Sequence, residues 1–419
     1  MKRISVVVLG ILTSTCVYAQ GTWRADTVTE HPRTLFTSDD LNAVRARVLN
    51  DEPAVFASLS ATAFETREAN SSWDDRRARA RIAKAAAFLV AVDAGVVNGA
   101  AVGSLPDGVR DELRAKAMAY LESTNLDLPS VLTASSDFQF LSAVVTQSVQ
   151  AYDLLAGVTE DDLASAAARL QQLVAGWFGE ANRFGGSYWS LTANNLSLRT
   201  AGSFALAGLV LNDLESSDPD AQPATWISTG TAEIERALFR RSNRQSDLDG
   251  AFVYGEGPWY FQYAMQTVLP YWRAQRHALV GMSPVQNYDG LQLGLALDDP
   301  RVDALFEWSI SLRLPNGQLP PVGDTFDKVF FPMERLAGRS TESWTSYASV
   351  GTEVTAALRR GVYDARADWL AATDAEERLP KSGLADVKSG YVFRSAGEDA
   401  LYAYIHAPSK AENGAAGGH

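Results

Sequence analysis

The stretch Tyr188-Trp189-Ser190-Leu191-Thr192-Ala193-Asn194-Asn195-Leu196 places two aromatics and two amides just ahead of a strongly apolar run. If a helix starts at Asn194 or Asn195, then Asn195, Arg199 and Gly202 share one face at spacings of four and three. An amide, a guanidinium and the free N–H groups of a helix start could together hold a carboxylate. Capping of that helix by an Asn beside a core aromatic explains the same residues more economically.

A second stretch, Asp249-Gly250-Ala251-Phe252-Val253-Tyr254-Gly255-Glu256-Gly257-Pro258-Trp259-Tyr260-Phe261-Gln262-Tyr263, is a glycine-rich loop running into a helix with Pro258 near its first position. Tyr260, Tyr263 and Thr267 then share a face. Aromatic density of this kind suits the stacking of sugar rings, and a tyrosine near a cation can have its pKa lowered from about 10 towards a useful acid or base. Plain core packing is the competing reading for Trp259, Phe261 and Tyr263. A third stretch, from Leu314 to Thr325, is rich in turn residues and holds a single acid, Asp324, which either lines a cleft or caps a turn. Of the four histidines, His31 is expected at the surface, His277 at a helix end and His406 on a strand, while His419 follows Gly417-Gly418.

These residues need elements to hold them. From about Ser38 to Leu370 the apolar spacing is mostly helical, broken by short Gly, Pro, Asp or Ser clusters. Helices are expected over Arg77 to Val92, Asp107 to Leu121, Val131 to Ala156, Glu160 to Phe178, Asn195 to Leu211, Ala232 to Phe239, Pro258 to Ala278, Gly290 to Leu297, Val302 to Leu312 and Val354 to Leu358. One more is expected after Thr37-Ser38-Asp39-Asp40, a capping residue followed by early acids. Ala85 to Val92 and Phe204 to Leu211 are apolar nearly all round, which belongs inside a layered helical assembly. The pattern changes near Lys381. Ser389 to Ser395 and Ala400 to Ala407 read as two strands of a hairpin, and a larger β domain is expected to begin there and be cut off at His419.

The chain has 419 residues, 46% hydrophobic and 21% charged, the composition of a globular protein. Its net charge of −13 disfavours nucleic acid or an anionic membrane as the main partner. Lys2 and Arg3, the apolar run Ile4 to Leu12 and the small residues around Val17-Tyr18-Ala19 read as a secretory signal peptide over 1–19, giving a periplasmic or secreted protein with no membrane association after its removal. The single cysteine, Cys16, lies in that segment, so neither a disulfide nor a thiolate zinc site is expected.

Taken in order, His31-Pro32-Arg33-Thr34-Leu35-Phe36-Thr37, the Asn194-Asn195 pair, the Asp-Gly-x-Phe and Glu-Gly-Pro-x-Tyr motifs, Pro320-Pro321-Val322-Gly323-Asp324 and Ser389-Gly390-Tyr391 with Arg394-Ser395 resemble the heparinase II/III-like polysaccharide lyases, a group that includes alginate lyases. The resemblance implies a mainly α chain: an (α/α) toroid over 20–380, then the start of an antiparallel β-sandwich over 381–419, truncated at the C-terminus. It implies β-elimination on a uronic-acid-containing polysaccharide or oligosaccharide, with Asn195 neutralising the carboxylate and Tyr260 and His419 sharing the acid and base roles. The family's frequent histidine after the Asn pair is Leu196 here, and Gly418-His419 looks like the first residues of its Gly-His-x-His-x-Asp segment. Asn194, Arg199, Tyr188, Trp189, Tyr254, Glu256, Trp259, Tyr263 and Asp324 are the implied substrate contacts. No metal or cofactor is expected within this chain; the family's structural zinc would be held by later β-domain residues. Two rival readings stand. One is a toroidal glycoside hydrolase pairing Asp249 or Glu256 with Asp324. The other is a non-catalytic glycan-binding protein.

Overall fold

The computed structural model describes residues 30–68, 72–124, 127–159, 163–183, 188–191, 195–214, 216–241, 254, 257–278, 285–286, 292–293, 296–314, 333–337, 339–340, 365–372, 376–377, 383–386, 390–394 and 402–406. Those residues are mainly helical, as the apolar spacing requires. Helix α1 (Leu41–Asn50) follows a turn in which the Asp40 carboxylate accepts from the Thr37 N–H and hydroxyl at 3.0 and 2.8 Å. Next come α2 (Pro53–Phe64), α3 (Trp73–Val92), a short antiparallel hairpin of β1 (Gly95–Val97) and β2 (Ala100–Val102), α4 (Asp107–Glu122), α5 (Leu128–Val131) and α6 (Ser135–Ala156). Then follow α7 (Ala164–Arg183), the single turn α8 (Tyr188–Leu191), α9 (Asn195–Val210), α10 (Pro223–Glu235) and α11 (Pro258–Ala278).

Side-chain pairs fix how these helices run. Trp73 reaches Asp137 and Lys84 lies beside Gln150 through their shared partner Asp368, so α3 and α6 run parallel. Thr146 bonds Ser203 at 2.8 Å, while Arg33 bridges from Val210 to the Asp153 end of α6, so α9 runs the same way. Arg199 bonds Tyr263 and Gly202 abuts Thr267 and Val268, which sets α11 parallel to α9. The flanking helices run the other way: in the first half of α3, Arg81 pairs with Glu65 just past the end of α2 and Arg79 bonds Ser123 just past the end of α4, and Gly230 of α10 faces Ala201 while Ile227 faces Gly208.

The four parallel helices carry the core. Residues 82–92, 141–155, 197–210 and 261–275 are buried without interruption, the signature of helices packed on all sides. Each fully buried large apolar side chain among them, such as Phe88, Leu154 or Phe204, stabilises by roughly 1.5–3 kcal/mol. Contact between α9 and α11 is closest at Gly202, where an added Cβ would lie 2.8 Å from Thr267 and Val268 backbone atoms.

Beyond α11 lie the antiparallel pair β3 (Val285–Gln286) and β4 (Gln292–Leu293), α12 (Pro300–Leu312), the turn α13 (Met333–Leu336), and β5 (Arg339–Ser340), which pairs parallel with β6 (Glu376–Glu377) on the far side of α14 (Arg366–Ala371). A three-stranded antiparallel sheet follows: β7 (Gly383–Asp386), β8 (Gly390–Arg394) and β9 (Tyr402–His406), in the order 7-8-9. The expected hairpin is its β8–β9 half, with Gly390 opposite His406 and Arg394 opposite Tyr402.

Several expectations are corrected. Within the helix expected over Gly290 to Leu297, the described residues form strand β4 (Gln292–Leu293) and the start of a 3-10 turn at Ala296–Asp298. Ala232 to Phe239 is not a separate helix: α10 runs through Glu235 and widens into a π-helical turn over Arg236–Arg241. The helix expected over Val354 to Leu358 lies outside the described residues.

His31 is not a surface residue. Its Nδ1 lies 2.6 Å from Oδ1 of the fully buried Asp153, and Arg33 Nη2 lies 3.2 Å from its Nε2. A guanidinium only donates, so Nε2 accepts and Nδ1 carries the proton given to Asp153. Asp153 also accepts from the Arg33 and Thr34 N–H groups and from the Thr34 hydroxyl, at 2.6–3.1 Å. Gly157 is needed here, because a Cβ on it would meet Pro32 Cδ at 2.2 Å. The segment that the sequence showed only as a helix approach is thus pinned to the end of α6.

Candidate active site

The parallel direction of α3, α6, α9 and α11 gathers four helix N-termini at one end of the assembly. Unpaired N–H groups and the positive ends of the helix dipoles make such an end favourable to negative charge. Asn195 is the first residue of α9 and Pro258 the first of α11, so the two stretches singled out in the sequence meet there.

Asn195 is buried, one helical turn before Arg199 on the same face. Arg199 is wholly buried: its Nη1 donates to the Tyr263 carbonyl at 2.6 Å and to Gln266 Oε1 at 3.1 Å, and its guanidinium carbon stands 4.0 Å from the centre of the Tyr263 ring. Stacking of a planar cation on an aromatic face in a desolvated place is worth up to about 2 kcal/mol. Arg199 thus holds Tyr263 by both a carbonyl hydrogen bond and a ring stack.

Tyr263 in turn stacks on Trp259, with ring centres 5.3 Å apart and planes 16° from parallel. Tyr260 meets both edge-on, at 4.9 Å from Trp259 and 6.2 Å from Tyr263. Trp259 and Tyr260 are half-buried, whereas Tyr263 is buried. A line of contacts therefore runs from Arg199, one helical turn beyond Asn195 on the same face of α9, through Tyr263 to the half-buried ring of Tyr260.

The other sequence-derived residues divide. Tyr188 and Trp189 on α8 are buried: Tyr188 stacks on Phe138 at 4.5 Å and its hydroxyl is 3.3 Å from Thr200 Oγ1, while Trp189 Nε1 donates to Asn182 Oδ1 at 3.3 Å. Tyr254 is buried against Phe261, with ring centres 6.0 Å apart. All three are thus packed into the core rather than presented to solvent. Asn194, Glu256, Asp324, Asp249 and His419 lie outside the described residues.

Three residues at this end escaped the sequence reading. Arg236, on the π-helical turn, donates to Glu233 and to the Trp189 carbonyl at 2.8 Å, anchoring the turn that precedes Asn195. Nothing in the local sequence marks it, since the contact spans 47 residues. Trp73 and Arg76 stand at the start of α3, at the same end as Asn195; the Trp-Asp-Asp-Arg-Arg run was the available signal.

The arrangement offers an amide, a phenol and aromatic faces at an end that favours anions. Among the described residues no cluster of three or more His, Cys, Asp or Glu is gathered as metal ligands, and no helix is long and apolar enough to cross a membrane. Neither any protein-family model nor any curated protein matches this chain.

Proposed function

We propose that the chain is an exported polysaccharide lyase that cleaves a uronic-acid-containing polymer by β-elimination. The observation that carries this reading is the placement of Asn195 at the start of α9 and of Tyr260 in the first turn of α11, at the shared N-terminal end of parallel helices joined there by the Arg199–Tyr263 stack. The alternation of parallel inner and antiparallel outer helices supports an (α/α) toroid over 20–380, and the antiparallel sheet of β7–β9 supports the start of a β-sandwich over 381–419.

The chemistry follows from the residue types. The C5 proton of a uronate is weakly acidic, and its removal needs the adjacent carboxylate neutralised so that charge can develop on it as an enolate-like species. The Asn195 amide, in the positive field of the helix starts, donates to that carboxylate. A base takes the C5 proton, a double bond forms between C4 and C5, the bond from C4 to the glycosidic oxygen breaks, and an acid protonates the departing oxygen. Tyr260 supplies one proton transfer and His419 the other, in an order set by the substrate's stereochemistry. Trp259 offers a face for a sugar ring. No cofactor or metal enters these steps.

Incubation of the full-length protein with alginate, heparan-type, hyaluronan and chondroitin-type polymers tests the reading. An ultraviolet-absorbing unsaturated product is expected. A saturated new reducing end would replace it with the hydrolase, and retention of a polymer with no product would leave a glycan-binding protein.

A further inference from the structure

The start of α3 carries four arginines within six residues, and three of them are committed. Arg77 pairs with Asp74, Arg81 with Glu65 at 3.4 Å, and Arg79 donates to Ser123 at 2.6 Å. Arg76 is different. It is half-buried, its guanidinium carbon lies 4.9 Å from the centre of the Trp73 ring, and among the described residues no carboxylate pairs with it. Trp73 is itself fixed: its indole N–H donates to Asp137 Oδ1 at 3.0 Å, and Phe140 packs beside it with ring centres 6.2 Å apart.

The carboxylates nearby in sequence have other work. Asp74 serves Arg77, and Asp75 accepts from the Ser72 hydroxyl in the cap of α3. Asp137 accepts from the N–H groups of Thr133 and Ala134 and the Thr133 hydroxyl as well as from Trp73, so its charge is spread over the cap of α6. Burial holds the Arg76 guanidinium below its ordinary pKa. A cation in that condition gains from any anion that reaches it. It also sits at the helix end that holds Asn195 and Tyr260, one helix beyond α6.

We infer that Arg76, backed by Trp73, is a second anion subsite that takes a carboxylate of an acidic glycan at a sugar distant from the one held by Asn195. The inference rests on the lyase reading for the glycan's identity but not for the site's chemistry. It would make the enzyme grip its polymer over several residues, so that chain length matters to binding.

Affinity electrophoresis of the full-length protein through gels containing alginate, polygalacturonate or hyaluronan, over a range of salt, tests it. Arg76→Gln should weaken retention by roughly three- to tenfold and make its salt dependence shallower. Arg76→Lys should recover part of the loss, and Arg76→Glu should weaken retention further. Unfolding midpoints of the three variants identify any that is misfolded, and the comparison of Lys with Gln then reads the charge alone. Equal retention of wild type and all folded variants overturns the subsite, even where unsaturated product is formed. Retention that falls in Arg76→Gln with no product from the wild type keeps the subsite and removes the lyase. A wild type that no acidic polymer retains overturns both.

Discussion

The two ends of the parallel helices α3, α6, α9 and α11 are built from different chemistry. At the C-terminal end, charges are buried and matched. Lys84 and Asp368 form an ion pair almost free of solvent, Gln150 donates to the same carboxylate at 3.2 Å, and Arg273 donates to the Asp368 and Leu35 carbonyls. Arg366, also buried, spreads its donors over Ser58 and Thr62, and Asp153 gathers the 31–34 segment. Two segments far apart in sequence, 31–36 and α14, are thereby locked across one end. At the N-terminal end the chain leaves half-buried aromatics, an amide and, in Arg76, a cation that no carboxylate pairs with among the described residues. The contrast teaches where specificity of fold resides: one end holds the helices in place with matched charges, while the other is the end on which the proposed chemistry depends.

The largest expected effect would break or secure the functional half of that comparison. Tyr260→Phe removes a hydroxyl from a half-exposed ring and leaves its packing on Trp259 and Tyr263 intact. Turnover on the polymer identified by the product assay should fall by roughly 10²- to 10⁴-fold, the usual worth of one positioned proton transfer. The unfolding midpoint should hardly move. An unchanged rate of product formation would remove Tyr260 from the mechanism.

The closed end should respond in the opposite sense. Lys84→Ala leaves the Asp368 carboxylate buried without its ammonium, at a cost of about 3–5 kcal/mol. Replacing both partners by apolar residues of similar size, Lys84→Met with Asp368→Leu, should recover most of that loss. Denaturant unfolding of the single and double variants measures both. Activity per folded molecule should stay near that of the parent, and a single variant as stable as the parent would show that the ion pair does not hold the closed end.

An intermediate effect is expected where the two ends are mechanically joined. Gly202→Ala places a methyl 2.8 Å from the Thr267 and Val268 backbone, so α9 and α11 must separate. Overpacking of this kind costs about 1–3 kcal/mol. Because Asn195 rides on α9 and Tyr260 on α11, the same substitution should also lower turnover. Gly208→Ala, which meets Ile227 and Pro223 instead, is the control: similar destabilisation with the rate kept.

Much of the open end was legible because its signals are local. The apolar run after Asn195 starts α9 where the amide pair ends, and Pro258 opens α11, so the two helix starts and the shared face of Asn195 and Arg199 follow from spacing alone. What spacing does not contain is which neighbour a face meets. Arg199 reads as a ligand-binding cation in the sequence, yet it is enclosed by Tyr263 and Gln266, residues 64 and 67 positions away. The closed end is hidden for the same reason. His31 and Asp153 are 122 residues apart and Lys84 and Asp368 are 284 apart, and a lone histidine or lysine in a helical pattern carries no mark of its partner. Helix Ala164–Arg183 also begins later and ends later than the expected Glu160 to Phe178, and its added last turn buries Gly179 and Ala181, small residues that carry little periodic signal.

The smallest effect concerns protons at the closed end. Burial, then the Arg273 cation, holds His277 below the ordinary imidazole pKa, and its Nδ1 donates to the Arg33 carbonyl at 3.2 Å. Burial pushes the Asp153 carboxyl up, but the hydrogen bonds from His31, Thr34 and Arg33 outweigh it and hold that group below its ordinary value. Both shifts have one sign: the unfolded chain takes up each proton before the folded chain does, so stability falls as pH falls. For His277 the loss begins as pH drops through the ordinary histidine value of about 6.5, and for Asp153 as it drops through about 3.9. Unfolding midpoints measured from pH 8 to pH 3 should therefore stay level above about pH 7 and then decline in two stages. His277→Gln keeps an N–H donor for the Arg33 carbonyl and removes the titration, so it should flatten the first stage and leave the second. A first stage of unchanged depth in His277→Gln would move the proton uptake to another group, and with it this part of the distinction between the two ends.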